Sequence, residues 1–216
     1  KELGITHFYF HRPTGTVFVR LHNHDKFDDK VTRVTYAASK SSKSWGSGIE
    51  LGKTAFALRV VHPYYNGNEL IGYIELGEEI DHFIEIMKNQ TSHEYAIVVE
   101  KKYINPRKWA SVRRVKGLRD NYDDLDGYVV IDTTMQDTGL FQKFGFTGQN
   151  LNRVTDDGAL FGFFPVNDKS YASGGFSLYN AAGTKVGAVV TIQDITAFEQ
   201  AHSEANTNMA IITIIG

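Results

Sequence analysis

The sequence contains no cysteine, which removes disulfide frameworks, thiolate metal sites and cysteine nucleophiles together. Neither sign of charge dominates: 23 Lys and Arg stand against 25 Asp and Glu, a formal net charge of −2. The basic residues are interspersed with acids rather than banded, so the broad basic field of a nucleic-acid-binding protein is missing and no nucleic-acid partner is expected. No apolar run reaches the about 20 residues that cross a bilayer. The catalytic motifs are missing too: no Gly-x-Ser-x-Gly elbow, phosphate-cradling glycine loop or His-Glu-x-x-His helix occurs. Gly46-Ser-Gly48 and the glycines from Gly139 to Gly148 lack the strand-to-helix flanks of a phosphate loop. Glu78-Glu79 and Asp123-Asp124 read as solvated or capping pairs. No enzyme activity is expected of this chain, and no motif calls for a cofactor or a metal.

What is present begins with a repeat. Pro63-Tyr-Tyr-Asn-Gly-Asn-Glu-Leu-Ile-Gly72 runs into a strand and on to Ile80 and Phe83; Leu178-Tyr-Asn-Ala-Ala-Gly-Thr-Lys-Val-Gly187 runs into another and on to Ile195 and Phe198. Gly72 and Gly187, Ile80 and Ile195, Phe83 and Phe198 each lie 115 residues apart. Self-similarity at so long an offset points to two related domains rather than a solenoid. The chain of 216 residues, 42% hydrophobic and 12% aromatic, is large enough for two packed cores.

Periodicity supplies the elements. Thr6–His11 and Val17–His22 flank an Arg-Pro-Thr-Gly turn and predict a hairpin. Strict alternation places Phe18, Arg20 and His22 on one face, opposite Val17, Val19 and Leu21. A short helix over Val31–Ser42 precedes strands over Ser47–Gly52, Ala55–His62 and Leu70–Leu76. Ile80, Phe83, Ile84 and Met87 are spaced to line one face of a helix over Ile80–Gln90. The second half predicts strands over Tyr95–Glu100, Tyr128–Asp132, Leu160–Val166, Gly174–Tyr179 and Lys185–Ile192, with Pro106 opening a helix that runs to Lys116. The stretch before Asn152 is poorly patterned. The expected fold is therefore α+β: two tandem units, each an antiparallel sheet flanked by helices.

Four histidines, His7, His11, His22 and His24, gather on or beside the first hairpin. His7 and His11 share a face but sit about 13 Å apart along the strand, too far to share one ion, whereas His22 and His24 could chelate across a loop. They read either as aromatic-polar edge residues or as a metal or haem site. Arg20 and Arg59 each interrupt an apolar strand. A guanidinium buried in a sheet must be paired, and two kinds of partner are open. Glu50 and Glu75, equally isolated among apolar neighbours, could pair with both; or at least one arginine takes a ligand carboxylate with its planar fork. Tyr9, Tyr36, Trp45 and Tyr64 are candidates for the walls of such a pocket, with His22 beside Arg20.

Gly4-Ile-Thr-His-Phe-Tyr-Phe-His-Arg-Pro13, Phe18-Val-Arg-Leu-His22, Ser47-Gly-Ile-Glu-Leu-Gly52, Leu58-Arg-Val-Val-His-Pro63 and Ile71-Gly-Tyr-Ile-Glu-Leu-Gly77 together resemble a double Cache domain, the tandem PAS-like extracytoplasmic sensor of bacterial and archaeal membrane receptors. Lys102-Tyr-Ile-Asn-Pro-Arg-Lys-Trp109 and Asp194-Ile195-Thr196 extend the resemblance more weakly, so that it covers nearly the whole chain. It implies a membrane-distal unit over residues 1–91 that holds a small ligand, a membrane-proximal unit over 92–196, and a helix over 197–216 leading toward a membrane segment. It also implies a homodimeric receptor with a histidine kinase, diguanylate cyclase or chemotaxis output inside the cell. The ligand expected is a small molecule, anionic if Arg20 or Arg59 meets it; the rival readings are a haem or metal sensor and an inert dimerisation spacer. The chain starts without Met or signal peptide, as expected of a fragment or a processed chain, and its last run, Met209-Ala-Ile-Ile-Thr-Ile-Ile-Gly216, is expected as either a terminal core strand or the first turns of a membrane helix cut short. The family's long helix ahead of the first strand has no counterpart here.

Overall fold

In a computed structural model, residues 5–51, 56–203 and 205 are described. They form two compact units. The first comprises residues up to Ile86 together with Asn105–Asp120 and Leu178–Val186; the second comprises Met87–Ile104, Asn121–Ser177 and the residues from Gly187 onward.

The first unit carries strands β1 (His7–His11), β2 (Val17–Arg20), β3 (Gly46–Leu51), β4 (Phe56–Asn66) and β5 (Glu69–Glu79), with helix α1 (Val34–Ser42) between β2 and β3. Helix α2 (Ile80–Thr91) follows β5 directly. The second sheet is formed by β6 (Glu94–Glu100), β7 (Tyr128–Thr133), β8 (Ala159–Val166), β9 (Lys169–Tyr179) and β10 (Lys185–Asp194); helix α3 (Pro106–Val115), which follows β6 in sequence, falls within the first unit, helix α4 (Gly148–Asn152) falls within the second, and residues 196–203 are helical. The sheet orders are β2-β1-β5-β4-β3 and β7-β6-β10-β9-β8. Relabelled from one to five within each sheet, these are the same order.

The repeated glycines have one physical cause. A Cβ at Gly72 would stand 2.1 Å from the carbonyl oxygen of His11, and a Cβ at Gly187 would stand 1.9 Å from that of Val98. Both positions are where the last strand of a sheet runs against the first too closely for any side chain. Local chemistry places the other boundaries. Asn105 caps α3 by accepting from the Lys108 N–H at 3.0 Å, with Pro106 as its first residue. Gly15, at φ +91°, closes the β1–β2 turn by donating to the Arg12 carbonyl.

Two expectations are corrected. In β1–β2, Tyr9 pairs with Arg20 and Phe10 with Val19, but His11 pairs with Val17. This bulge skips Phe18, which is left 58% exposed, and puts Val17 on the same inner face as Arg20. On α2 the buried residues are Ile80 and Ile84, while Phe83 is 43% exposed. The buried stripe is the i, i+4 pair Ile80 and Ile84, narrower than the spacing suggested.

The cores differ in kind. Every residue of β6 from Tyr95 to Val99 is buried, so this interior strand, between β7 and β10, is covered on both faces. Its main core joins Ala96, Val98, Val130, Ala188, Val190 and Ile192 to Phe141, Phe144 and Phe146. The first core is small and half tyrosine: Tyr9, Val17, Val31, Tyr36, Val61 and Tyr73. Among the described residues no helix is long and apolar enough to cross a membrane; the terminal run expected to enter one lies outside them.

Candidate functional site

Alternation along β1 turns His7, Tyr9 and His11 to the inner face of the first sheet, and the same alternation along β5 turns Tyr73 and Glu75 there. Arg59 arrives from β4 on the face of Val61 and Pro63, and Arg20, paired with Tyr9, arrives from β2. Glu75 is fully buried and accepts from three donors. Its Oε1 takes Arg59 Nη1 at 2.7 Å; its Oε2 takes His11 Nε2 at 2.8 Å and Arg33 Nη1 at 2.9 Å. Arg20 donates through Nη2 to Asp29 at 2.7 Å and through Nη1 to the Lys26 carbonyl.

The Tyr9 ring is the common neighbour. Arg33, Arg20 and Arg59 lie 4.7, 5.4 and 6.0 Å from its centroid, and the rings of His22, His11 and His7 lie 4.8, 5.6 and 6.1 Å away. Tyr36 meets His11 edge-on at 5.8 Å and Tyr73 at 4.9 Å. Three guanidiniums thus surround one ring, against two carboxylates, Glu75 and Asp29.

The field of the arginines is visible in their neighbours. Burial first, then Arg59, His22 and Arg33, push His7 down to about 4. Burial first, then Arg20 and Arg59, lower His22, whose Nδ1 accepts from the Phe8 N–H at 3.4 Å. Burial would raise the Glu75 carboxyl, but hydrogen bonding from His11 and the charges of Arg33 and Arg59 outweigh it and hold it below its ordinary value. Both effects bear on stability with the same sign. Below its ordinary value of 6.5, His7 binds a proton more readily unfolded than folded, so unfolding gains protons and stability falls as the pH drops from 6.5 toward 4. Glu75 adds its own loss only lower, below 4.5 and through its depressed value. Urea midpoints measured across this range are expected to decline from pH 6.5 downward, and His7→Gln to flatten the upper part of that decline; a flat wild-type profile between 6.5 and 4 would contradict the placement of His7.

Of the residues singled out from sequence, the structure brings together Tyr9, Arg20, His22, Arg59 and Glu75, with Tyr36 beside them. It does not bring Trp45 and Tyr64. Trp45 is 64% exposed and packs on His62 at 4.0 Å, and Tyr64 is half exposed; His62 and Tyr64 alternate with buried Val61 and Pro63, on the face opposite Arg59. Glu50 pairs with neither arginine: its Oε1 accepts from the Thr35 N–H at 2.6 Å, at the start of α1. Arg33, Asp29 and Tyr73 were missed. Arg33 falls within the helix expected over Val31–Ser42, but that helix starts only at Val34, and nothing in its spacing marks the Arg33 side chain as folding inward. Among the described residues no group of three or more His, Asp or Glu is gathered as a metal site.

A groove of about 1310 Å³ lies in the second unit beside Phe163, Ala172, Ile195, Phe198 and His202. Its carboxylate Asp194 is already held by Lys169 at 2.8 Å and by Thr196, and it gathers no set of converging charges. Size alone does not make it the binding site.

The two sheets can be laid on each other position by position. In the first, His11 pairs with Tyr73 and Tyr9 with Glu75; in the second, Val98 pairs with Ala188 and Ala96 with Val190. The offset of 115 takes Tyr73 to Ala188 and Glu75 to Val190. Where one fold position holds His, Tyr, Tyr and Glu, its counterpart holds Val, Ala, Ala and Val, all at most 1% exposed.

A family model described as the double sensory domain of two-component sensor kinases matches residues 1–198. No curated protein matches the chain. Similar solved structures include the ligand-binding domain of the Campylobacter jejuni chemoreceptor Tlp3 in complex with 4-methylisoleucine, at 7% identity and a TM-score of 0.45, covering 89% of this chain and 66% of that one. Another is the ligand-binding domain of the Pseudomonas aeruginosa PAO1 amino acid chemoreceptor PctB in complex with L-Gln, at 12% identity and a TM-score of 0.43, covering 98% and 77%. The chain therefore spans about two thirds of the Tlp3 domain.

Proposed function

Because this chain belongs to the double Cache family, the double sensory domains of two-component sensor kinases, we propose that it is the extracytoplasmic ligand-sensing part of a membrane receptor and that it binds a small anion on the inner face of the first sheet. The observation that carries this reading is the contrast between the sheets. The fold is satisfied by Val98, Ala96, Ala188 and Val190 in one copy, so His11, Tyr9, Tyr73 and Glu75 are not needed to build it. Buried charge is a poor stabiliser compared with apolar packing, which leaves binding as its use. Arg20, Arg33 and Arg59 exceed Glu75 and Asp29 by one positive charge, and Arg33, whose side chain is 22% exposed, is open to solvent while paired.

The ligand's carboxylate takes over part of the arginine pairing that Glu75 and Asp29 provide, and the first unit closes on it. Signalling requires that the ligand bind the two receptor states with different affinity. The output, whether kinase, cyclase or chemotaxis, and dimerisation belong to the intact receptor. Thermal-shift measurements over a panel of small carboxylates and inorganic anions test the site. At least one anion should raise the midpoint, and the shift should vanish in Arg33→Ala while surviving in Tyr64→Ala on the opposite face. A second reading is favoured by the completeness of the Glu75 pairing: the first unit is then an inert spacer, and no anion at any concentration moves the midpoint.

A further inference from the structure

Two surfaces away from the arginine cluster are each unusual, and each supplies what the other lacks. Against the general mixing of charge along the chain, residues 101–119 hold eight Lys and Arg and no Asp or Glu. Helix α3 occupies the middle of this stretch, in the first unit. Trp109 is its buried residue, so Arg107, Lys108, Ser111, Arg114 and Val115 make up the exposed face. Lys101, Lys102 and Lys116 are paired with Asp123, Glu100 and Glu79. Among the described residues no ion pair takes up Arg107, Lys108 or Arg114. The helix ends in a fixed turn: Gly117, at φ +69°, donates to the Arg114 carbonyl at 3.0 Å, and Leu118 donates to that of Arg113 at 2.8 Å. That turn sets Leu118, 47% exposed, three residues beyond Val115, 85% exposed. The result is an apolar tip on a basic helix.

The second unit carries the opposite surface. The groove beside Phe163 and Phe198 adjoins a depression of about 530 Å³ beside Leu160 and Phe176, which shares Ala172 and Gln193 with it. All four of these large side chains are at least 43% exposed. Asp156, Asp157, Asp194 and Glu199 line the two depressions, and among the described lining residues there is no Lys or Arg. Lys169 answers Asp194 from outside them. These carboxylates are spread along the groove instead of converging on a point, which fits a protein surface and not a small ion. Exposed apolar surface of this extent marks a place of contact. We propose that the α3 tip of one copy of the chain docks in this groove of a second copy. Val115 and Leu118 then meet Phe163 and Phe198, and Arg107, Lys108 and Arg114 face the carboxylates. Opposite charge selects this occupant: the groove repels an acidic partner, and its aromatic walls gain little from a purely polar one. The two surfaces differ, so the contact is heterologous. Each copy offers one tip and one groove, and association continues head to tail unless the rotation closes it.

Sedimentation equilibrium of the whole chain over a concentration series tests this, and no outcome bears on the anion site. The average mass should rise above that of one chain with concentration, and the rise should weaken as salt screens the exposed charges. Arg114→Glu and Glu199→Lys alter exposed residues and are first checked by circular dichroism for a retained fold. Each should weaken self-association about tenfold or more. Mixed in equal amounts, the two variants should regain the wild-type affinity and stop at two chains, since each brings the surface that the other has lost. Lys108→Glu and Asp157→Lys replace this pair if either variant misfolds. One chain's mass at every concentration overturns the proposal. So does self-association left unchanged in either variant, or a mixture that associates no better than its parts.

Discussion

Glu75→Gln should cost about 3–5 kcal/mol of unfolding free energy, the range seen when one partner of a buried ionic set is removed. Glu75 is the point at which Arg59, Arg33 and His11 meet, and it has no exposure to water. The amide cannot balance two guanidiniums, and Arg59, 3% exposed, has nowhere to go. Arg33 is the lesser problem because its side chain already reaches solvent. Against the about 5–15 kcal/mol that stabilises a whole domain, this is enough to unfold the first unit at moderate urea. The contrast between the sheets supplies the control. Replacing the pair together, as Arg59→Met with Glu75→Leu, should recover more than half of the loss, because apolar residues of similar volume often match or exceed a buried ion pair. Urea unfolding followed by tyrosine and tryptophan fluorescence measures both. A Glu75→Gln variant within about 1 kcal/mol of wild type would mean that the network is not formed in solution.

Gly187→Ala is the second severe substitution. The added methyl group would sit 1.9 Å from the Val98 oxygen and 2.8 Å from the Val99 Cα, both backbone atoms at the centre of the second sheet. Neither can yield without moving a fully buried strand. The loss should reach or exceed the upper end of the about 1–3 kcal/mol typical of overpacking. Gly72→Ala meets a single backbone oxygen at 2.1 Å, with the next atom at 3.3 Å, so it should be damaging but less so. Gly139→Ala, whose nearest atom is the Asp137 carboxylate at 3.1 Å, should be close to neutral. Thermal midpoints of the three variants rank them; a mild Gly187→Ala would contradict the strand register.

Much of this arrangement was legible before any coordinates. Gly72 and Gly187 stood out by their spacing, and each proves to be a close backbone crossing in its own sheet. Arg20, Arg59 and Glu75 stood out because charge interrupts an apolar strand, and burial makes such interruptions expensive. Partners were not legible. Glu50 was as plausible for Arg59 as Glu75 was, and the structure gives Glu50 to the Thr35 N–H instead. Arg20 found Asp29, which belongs to a loop with no periodic signal.

The pattern of side chains along each strand determined two similar α+β units, their strands and the family to which the chain belongs, because period-two alternation and turn chemistry are local properties of the backbone. Tertiary structure alone decided which side chains share the space around Tyr9. Register between distant strands sets that, and one bulged residue, Phe18, moves Val17 to the inner face beside Arg20. Arg33 and Trp45 are placed for the same reason: the fold turns a loop arginine inward and leaves a tryptophan on the outer face, and nothing in their immediate neighbours could have said so.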